Sequence, residues 1–244
     1  MASDLIKRIR PQGDRCLMID LGDQIDQAVG LRCLTLADSL RQARVPGVLD
    51  IVPSFTAVAI YFEPGIALGD DPVARLTTLV HEIVGQIADG AKLEARRIEI
   101  PVCYGGKHGP DLEDVAKRMG LSPEEVVRAH HGSICRVYMI GFAPGHPYIG
   151  IHDERFSLPR REVPRTALPA GSLGIANRQS TIYPNVLPGG WHIIGATPLR
   201  LFNAAAKQPT LLMPGDEIEF VPITANQFDE IKAKQQDSHE EGRA

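Results

Sequence analysis

Residues 136–150 read RVYMIGFAPGHPYIG, a β-rich run that passes directly into a segment in which glycine and proline supply five of the last ten residues. Proline interrupts helices and is excluded from the middle of a sheet, so no long helix is expected here. Similar short apolar runs bounded by turn residues follow: SLGIA (172–176), STIYP (180–184), WHIIG (191–195), LRLF (199–202), TLLM (210–213) and EIEFVP (217–222). Many short strands joined by tight turns predict a closed β-barrel or a sandwich.

Glycine and proline are distributed unevenly along the 244 residues. Of the 23 glycines and 19 prolines, 14 of each lie between Pro101 and Pro222, so the first part of the chain is free to form longer elements. This shift predicts two domains with a boundary near residues 90–105. We assign residues 1–95 to an N-terminal α/β domain, 96–230 to a β-barrel domain and 231–244 to a polar tail.

The N-terminal part alternates between strand and helix patterns. The β-rich runs occupy 15–21, 48–52, 55–62 and 96–104. Apolar residues at helical spacing predict one helix over 24–43 and another that starts at Asp70-Asp71-Pro72. The order β-α-β-β-α-β is typical of a ferredoxin-like domain. Two short helices, over 111–119 and from Ser122, are expected to cover the barrel, and the fold class is α+β.

Charge and hydropathy exclude several classes of function. The formal net charge is −4, whereas nucleic-acid-binding proteins usually carry a basic surplus, so no nucleic-acid partner is expected. No apolar run reaches the roughly 18–20 residues that a membrane span needs. The N-terminus MASDLIKRIR has no apolar signal core, which predicts a cytoplasmic protein without a membrane partner.

Most catalytic and metal-binding motifs are absent from the sequence. The four cysteines are widely spaced and form no CxxC pair, which predicts reduced thiols and no metal site in this chain. Gly105-Gly106-Lys107 is not a P-loop, because the earlier glycine and the following hydroxyl are missing. No catalytic residue is assigned from the sequence.

Residues 141–150 carry the strongest functional pattern. A stiff loop of this composition presents His146 and Tyr148 with little conformational freedom to lose on binding. Arginines beside such loops suit a carboxylate or phosphate ligand. The alternative is a tight connection between barrel strands, with the arginines as solvated surface charges. Asp111 likewise has two interpretations, as the N-cap of the following helix or as a functional carboxylate.

Five long stretches resemble one known family. They are YGGKHGPDLEDVA (104–116), RVYMIGFAPGHPYIG (136–150), PRREVPRTALPAGSLGIANRQSTIYP (159–184), PGGWHIIGATPLRLF (188–202) and LLMPGDEIEFVPI (211–223). The sequence resembles the 5-oxoprolinase B-subunit family, also called the KipI or allophanate hydrolase subunit 1 family, which is related to subdomains C and D of the carboxyltransferase domain of urea carboxylase. The resemblance covers nearly the whole chain, including GDRCLMIDLGDQID (13–26).

The resemblance implies a fold, a reaction and partners. The fold is a small N-terminal α/β domain followed by a cyclophilin-like β-barrel. The reaction is the ATP-dependent opening of 5-oxo-L-proline to L-glutamate, with ATP bound at a partner protein or a shared cleft. One partner is similar to KipA and allophanate hydrolase subunit 2, and it joins this chain in a heterodimer or heterotetramer. The other partner is LamB/YcsF-like.

The chain departs from the family pattern at its candidate loops. His146 stands where the family usually has phenylalanine, Ile151 where it has a second glycine, Asn177-Arg178 where Gly-Gly is frequent, and Ser180-Thr181 where Thr-Gly is common. These departures leave the substrate open. Two alternatives are a carboxyltransferase-type subunit that acts on urea-like substrates with biotin supplied in trans, and a KipI-like inhibitor of a sensor histidine kinase.

We predict a cleft on the barrel that binds a small-molecule substrate. Arg165 is expected to bind an anionic group, and several glycines are expected to shape the backbone. The predicted residues are Pro144, Gly145, His146, Pro147, Tyr148, Arg165, Gly171, Gln179, Tyr183, Gly189, Gly190 and Trp191.

Overall fold

The computed structural model describes residues 5–65, 67–87, 95–132 and 134–241, with side chains described as far as residue 235. The chain divides into two compact units, Met1–Glu94 and Ala95–Ala244. In the described ranges, no helix combines the length and the apolar character that crossing a bilayer requires.

The described residues of the first unit form a four-stranded antiparallel sheet with two helices. Its strands are β1 (Arg8–Pro11), β2 (Cys16–Asp20), β3 (Val48–Pro53) and β4 (Ala57–Phe62), in the order β1-β2-β4-β3. The helices are α1 (Gln27–Gln42) and α2 (Pro72–Ile87). The Asp26 carboxylate begins α1 by accepting the backbone N–H groups of Ala28 and Val29. Alternate residues of β2, Leu17 and Ile19, are fully buried in the core of this unit.

The predicted β-α-β-β-α-β order is corrected at its last element. The run at 96–104 forms β5 (Arg97–Tyr104), which belongs to the barrel of the second unit, where its Ile100 and Val102 are fully buried. The fourth strand of the first sheet is instead β1, whose short RIRP sequence contains one apolar residue and gives no strand pattern. The ferredoxin-like assignment is therefore not confirmed.

The second unit is built on a closed seven-stranded barrel, so the predicted α+β class with a barrel is confirmed. Its strand order is β10-β7-β6-β13-β5-β12-β9. Besides β5, the strands are β6 (Cys135–Ile140), β7 (Pro147–Gly150), β9 (Ser172–Ala176), β10 (Gln179–Ile182), β12 (His192–Ala196) and β13 (Glu217–Pro222). Two further strands, β8 (Arg165–Leu168) and β11 (Leu187–Gly189), form a separate two-stranded sheet.

In the described part of the second unit, three α-helices accompany the barrel: α3 (Leu112–Met119), α4 (Pro123–His131) and α5 (Ala225–Glu241). The predicted capping box of α4 is confirmed, because the Ser122 hydroxyl and the Glu125 carboxylate each accept the other's backbone N–H. The predicted strands at 199–202 and 210–213 are wrong, since only an isolated bridge between Phe202 and Thr210 forms there.

Candidate functional site

A cavity of about 240 Å³ lies beside the loop that the sequence singled out. We call it the aromatic pocket. It brings together His146, Tyr148, Tyr183, Gly189, Gly190 and Trp191 from the predicted set. The remaining lining residues are Phe142, Arg160, Pro164 and Pro188, which the prediction did not include.

The loop between β6 and β7 holds its own shape. The N–H of Gly141 donates to the carbonyl of His146 at 3.1 Å, and the N–H of His146 donates to the carbonyl of Ala143 at 3.0 Å. Gly145 has a φ of +75°, and a Cβ there would lie 2.9 Å from the Cβ of Phe202. Glycine is therefore required, and the loop carries His146 into the barrel wall in a fixed position.

His146 is a buried and neutral group. Its side chain is 2% exposed, and the Thr181 hydroxyl oxygen lies 3.0 Å from Nε2 and 3.3 Å from Nδ1. Because that hydroxyl donates its only proton to the carbonyl of Pro147 at 2.7 Å, it accepts from the imidazole. Burial lowers the pKa of His146 to about 4. At neutral pH the ring therefore keeps one unprotonated nitrogen, which is a base and a hydrogen-bond acceptor.

Tyr183 and Gly189 approach each other closely at the wall of the pocket. A Cβ on Gly189 would lie 2.0 Å from the Tyr183 hydroxyl oxygen, so only glycine leaves room for that hydroxyl. Burial raises the pKa of Tyr183 to about 12, although the positive charge of Arg160 opposes the rise. The phenol is therefore un-ionised at neutral pH and able to donate a hydrogen bond.

Trp191 supplies the largest ring of the pocket and is 5% exposed. The guanidinium carbon of Arg160 lies 5.4 Å from the centroid of its ring, within the range of a cation–π contact. Tyr148 meets the same indole edge to face, with centroids 6.1 Å apart. The pocket thus combines apolar ring faces with one exposed cation at its edge.

Arg165, for which the sequence predicts an anionic partner, pairs with a carboxylate of this chain. Its two terminal nitrogens donate to the two carboxylate oxygens of Asp111, each at 2.7 Å. Asp111 also accepts from Arg161 at 3.1 Å and from the backbone N–H of Ile193 at 2.7 Å, and it makes no capping bond to α3. Burial opposes ionisation of Asp111, but these hydrogen bonds and charges outweigh it and hold its pKa below the ordinary value.

The other predicted residues lie outside the lining of the aromatic pocket. Pro144 is exposed at the tip of the loop, and Pro147 begins β7. Gln179 begins β10 and pairs with Gly150. Gly171 has a φ of +85° and precedes β9, where a Cβ would lie 2.2 Å from the carbonyl oxygen of Thr197. Gly145 likewise lies outside the lining of the aromatic pocket.

A buried hydrogen-bonded chain, which sequence reasoning missed, crosses the barrel. The Ser180 hydroxyl lies 2.8 Å from Nε2 of His130 and 2.7 Å from Nε2 of His152. Nδ1 of His130 lies 2.9 Å from the Tyr104 hydroxyl, and Nδ1 of His152 lies 3.4 Å from the Cys135 sulfur. A serine hydroxyl donates one proton, so at most one of the two histidines accepts from Ser180 and at least one donates to it. In the described part of the chain, no group of three His, Cys, Asp or Glu residues is placed to hold a metal ion.

Known proteins resemble nearly the whole chain. The family described as carboxyltransferase domain, subdomain C and D, matches residues 7–212. The 5-oxoprolinase B subunit of Bacillus subtilis (strain 168) is 39% identical over 234 residues, which are 92% of this chain and 96% of that protein. The 5-oxoprolinase B subunit of Escherichia coli O157:H7 is 38% identical over 210 residues, which are 86% of this chain and 93% of that protein.

Solved structures share the fold. The crystal structure of TTHA0988 matches with a TM-score of 0.73 at 32% identity over 86% of this chain, and this chain covers 40% of that longer one. The Kluyveromyces lactis urea carboxylase matches with a TM-score of 0.65 over 94% of this chain and 24% of its own. Its identity of 16% shows the fold alone. From the match over residues 7–212, this chain belongs to the family of the carboxyltransferase domain, subdomain C and D.

Proposed function

We propose that this chain is the B subunit of an ATP-dependent 5-oxoprolinase, an amidohydrolase that opens 5-oxo-L-proline to L-glutamate together with a KipA-like and a LamB/YcsF-like partner. The proposal is based on sequence identity to two proteins named as 5-oxoprolinase B subunits. The identities are 39% and 38%, and the matches extend over almost the full length of both proteins. In this reaction water adds to the lactam carbonyl carbon, the ring C–N bond breaks, and the nitrogen becomes the amine of glutamate. A second water is consumed as ATP is converted to ADP and phosphate.

The aromatic pocket is the proposed substrate site of this chain. Its volume of about 240 Å³ is below the range of pockets for drug-sized ligands and suits a single small ring. The exposed guanidinium of Arg160 is assigned to the substrate carboxylate. The faces of Tyr148 and Trp191 pack on the ring of the substrate, and the unprotonated nitrogen of His146 accepts its lactam N–H.

The role of this pocket is to bind and orient the substrate. Among the described residues that line it, none is an aspartate or a glutamate, and the phenol of Tyr183 stays protonated. The one base among these described residues, the unprotonated nitrogen of His146, is occupied by the lactam N–H. The group that activates water and the site of phosphoryl transfer are therefore assigned to the two partners, of which the KipA-like protein forms a heterodimer or heterotetramer with this chain. This chain holds the lactam in the orientation that water attack and phosphoryl transfer require.

The test is co-expression of this chain with the KipA-like and LamB/YcsF-like partners, followed by an assay of ATP-dependent glutamate formation from 5-oxoproline. Arg160→Met keeps the apolar stem of the side chain and removes the charge. It is expected to raise KM for 5-oxoproline about ten-fold or more, with a smaller effect on kcat. Arg118→Met, at an exposed position of α3, is the matched control.

Three outcomes would overturn parts of this proposal. Absence of turnover by the complete set of three proteins rejects the 5-oxoprolinase assignment. Turnover with an unchanged KM in Arg160→Met rejects the aromatic pocket as the carboxylate site. Turnover of urea with a biotin carboxylase, in place of 5-oxoproline, selects the carboxyltransferase alternative.

A further inference from the structure

A second cavity, of about 500 Å³, is present in the Ala95–Ala244 unit. It is bordered by the turn that follows β5, by the β8–β9 segment and by the first turns of α5. We call it the basic cavity and define it by Lys107, His108, Arg165, Phe228, Asp229 and Lys232. The first of these residues belongs to the Gly105-Gly106-Lys107 sequence, for which the proposed function has no role.

The charge of the basic cavity is predominantly positive. Lys107 and Lys232 are exposed, and among the residues that the structure describes neither ammonium group forms an ion pair with a carboxylate. Asp229 is the carboxylate among the residues that line the cavity. Arg165 adds little net charge, because Asp111 holds it. The cavity therefore favours an anion.

His108 lines this cavity and has an unsatisfied polar atom. Its Nε2 is buried and has no hydrogen-bond partner in the described part of the chain, while its ring lies against Phe228 with centroids 4.2 Å apart. Buried polar atoms nearly always have a partner, so the imidazole has the capacity for one more hydrogen bond. Burial and then the charge of Lys107 lower its pKa, with Lys232 adding to the effect and Asp229 opposing it.

The turn that presents Lys107 and His108 is held in place by backbone hydrogen bonds. The N–H of Gly105 donates to the carbonyl of Ile194 at 3.0 Å, and the N–H of Gly109 donates to the carbonyl of Gly105 at 2.8 Å. A Cβ on Gly109 would lie 2.1 Å from the carbonyl oxygen of Ile194, so no other residue fits. A turn fixed in this way loses little entropy when a ligand binds.

We propose that the basic cavity is a binding site for a phosphate-type oxyanion, held by the ammonium groups of Lys107 and Lys232 and by the imidazole of His108. The two lysines, which pair with no carboxylate among the described residues, provide charge, and a neutral imidazole N–H provides a directed hydrogen bond. The same chemistry suits free phosphate and the terminal phosphate of a nucleotide. The inference does not depend on the proposed reaction, because binding is measurable on this chain without turnover.

The experiment titrates the full chain with inorganic phosphate and, separately, with ATP at low ionic strength, by calorimetry and by NMR of 15N-labelled histidine rings. His108→Gln assigns the ring signal of His108. Saturable binding that shifts this signal is expected. Lys107→Met and Lys232→Met are each expected to weaken binding about ten-fold, whereas Lys117→Met, which removes an exposed lysine of α3, is expected to leave it unchanged.

Free phosphate and the terminal phosphate of a nucleotide are distinguished by their relative affinities, and saturable binding of either one supports the site. Tighter binding of ATP than of phosphate identifies a nucleotide, and equal or weaker binding of ATP identifies the free anion. The proposal is overturned if neither ligand binds saturably, if the His108 signal does not move, or if Lys117→Met weakens binding as much as the other two variants. Calorimetry on the wild-type chain requires no variant to fold, so the absence of saturable binding overturns the proposal even if His108→Gln does not fold.

Discussion

The Thr181 hydroxyl lies 3.0 Å from Nε2 of His146, and both residues depart from the pattern of the family that the sequence resembles. That family usually has phenylalanine in place of His146, and glycine is common in place of Thr181. Both side chains are buried. On β10 the threonine is larger than the glycine of the family pattern, and on the loop the imidazole is smaller than the phenyl ring of that pattern. The two departures therefore form one hydrogen-bonded unit beside the aromatic pocket.

His146→Phe alone is expected to destabilise the protein by about 1–2 kcal/mol, because the larger ring meets the methyl and hydroxyl groups of Thr181. Thr181→Gly alone also destabilises, since it removes the hydroxyl that binds the carbonyl of Pro147. The double variant is expected to lose about 1 kcal/mol less free energy of unfolding than the two single variants lose in total. Urea unfolding of all four proteins measures this coupling, and additive values would show that the two positions are independent.

Asp111→Asn is expected to cost about 3 kcal/mol, because it removes the charge that Arg161 and Arg165 share in a largely buried cluster. The pKa of Asp111 is depressed, so its contribution is present above the ordinary carboxyl pKa and is lost as the pH falls through the folded value. Denaturant unfolding at pH 7 and under acid conditions is expected to show a smaller difference between variant and wild type in acid. Asp114→Asn, at an exposed position, is the control, and an equal loss in both variants contradicts the prediction.

Local sequence patterns predicted the strands and helix ends that depend on neighbouring residues in the sequence. The β9 run at 172–176 and the β13 run at 217–222 match the observed strands, and the capping residues of α4 behave as expected. The strand β7 was hidden, because its first residue, Pro147, reads as part of a loop. The runs at 199–202 and 210–213 are apolar enough for strands, but strand pairing depends on distant partners that a local pattern does not contain.

The candidate site was predictable to the extent that rings and glycines indicate a stiff pocket. Tyr148, Tyr183 and Trp191 do meet there. The role of Arg165 was not predictable, because its partner Asp111 lies 54 residues earlier and no local spacing connects the two. Arg160, five residues before Arg165, lines the aromatic pocket instead. Neighbouring arginines in one run therefore have different partners, which only the tertiary structure distinguishes.

Arg178→Gly is expected to be more stable than Arg178→Ala by about 1 kcal/mol. Asn177 and Arg178 form the two-residue turn between β9 and β10, and both have a positive φ, at 48° and 63°. Each variant loses the hydrogen bond from Nε of Arg178 to the carbonyl of His152, so the difference isolates backbone strain. Thermal unfolding measures it. The same pair of substitutions at Lys117, in the helix α3, is expected to give the opposite order.

Because the barrel contains buried histidines, the free energy of unfolding of the second unit is expected to depend on pH. Burial lowers the pKa of His152 to about 4 and holds that of His130 well below its ordinary value, with the charges of neighbouring groups adding to the effect. In the unfolded chain both rings take up protons near pH 6.5, so the free energy of unfolding falls as the pH drops from about 6.5 towards 4.

His152→Gln is expected to flatten this dependence by about 1.4 kcal/mol per pH unit between pH 6 and 4.5, because one proton fewer is taken up on unfolding. At pH 7 the variant is less stable than the wild type, since the Ser180 hydroxyl loses its imidazole partner. The measurement is urea unfolding of the full chain at several pH values. Lys117→Met, at an exposed position of α3, is expected to retain the wild-type slope. An unchanged slope in His152→Gln would show that this ring is already protonated in the folded protein.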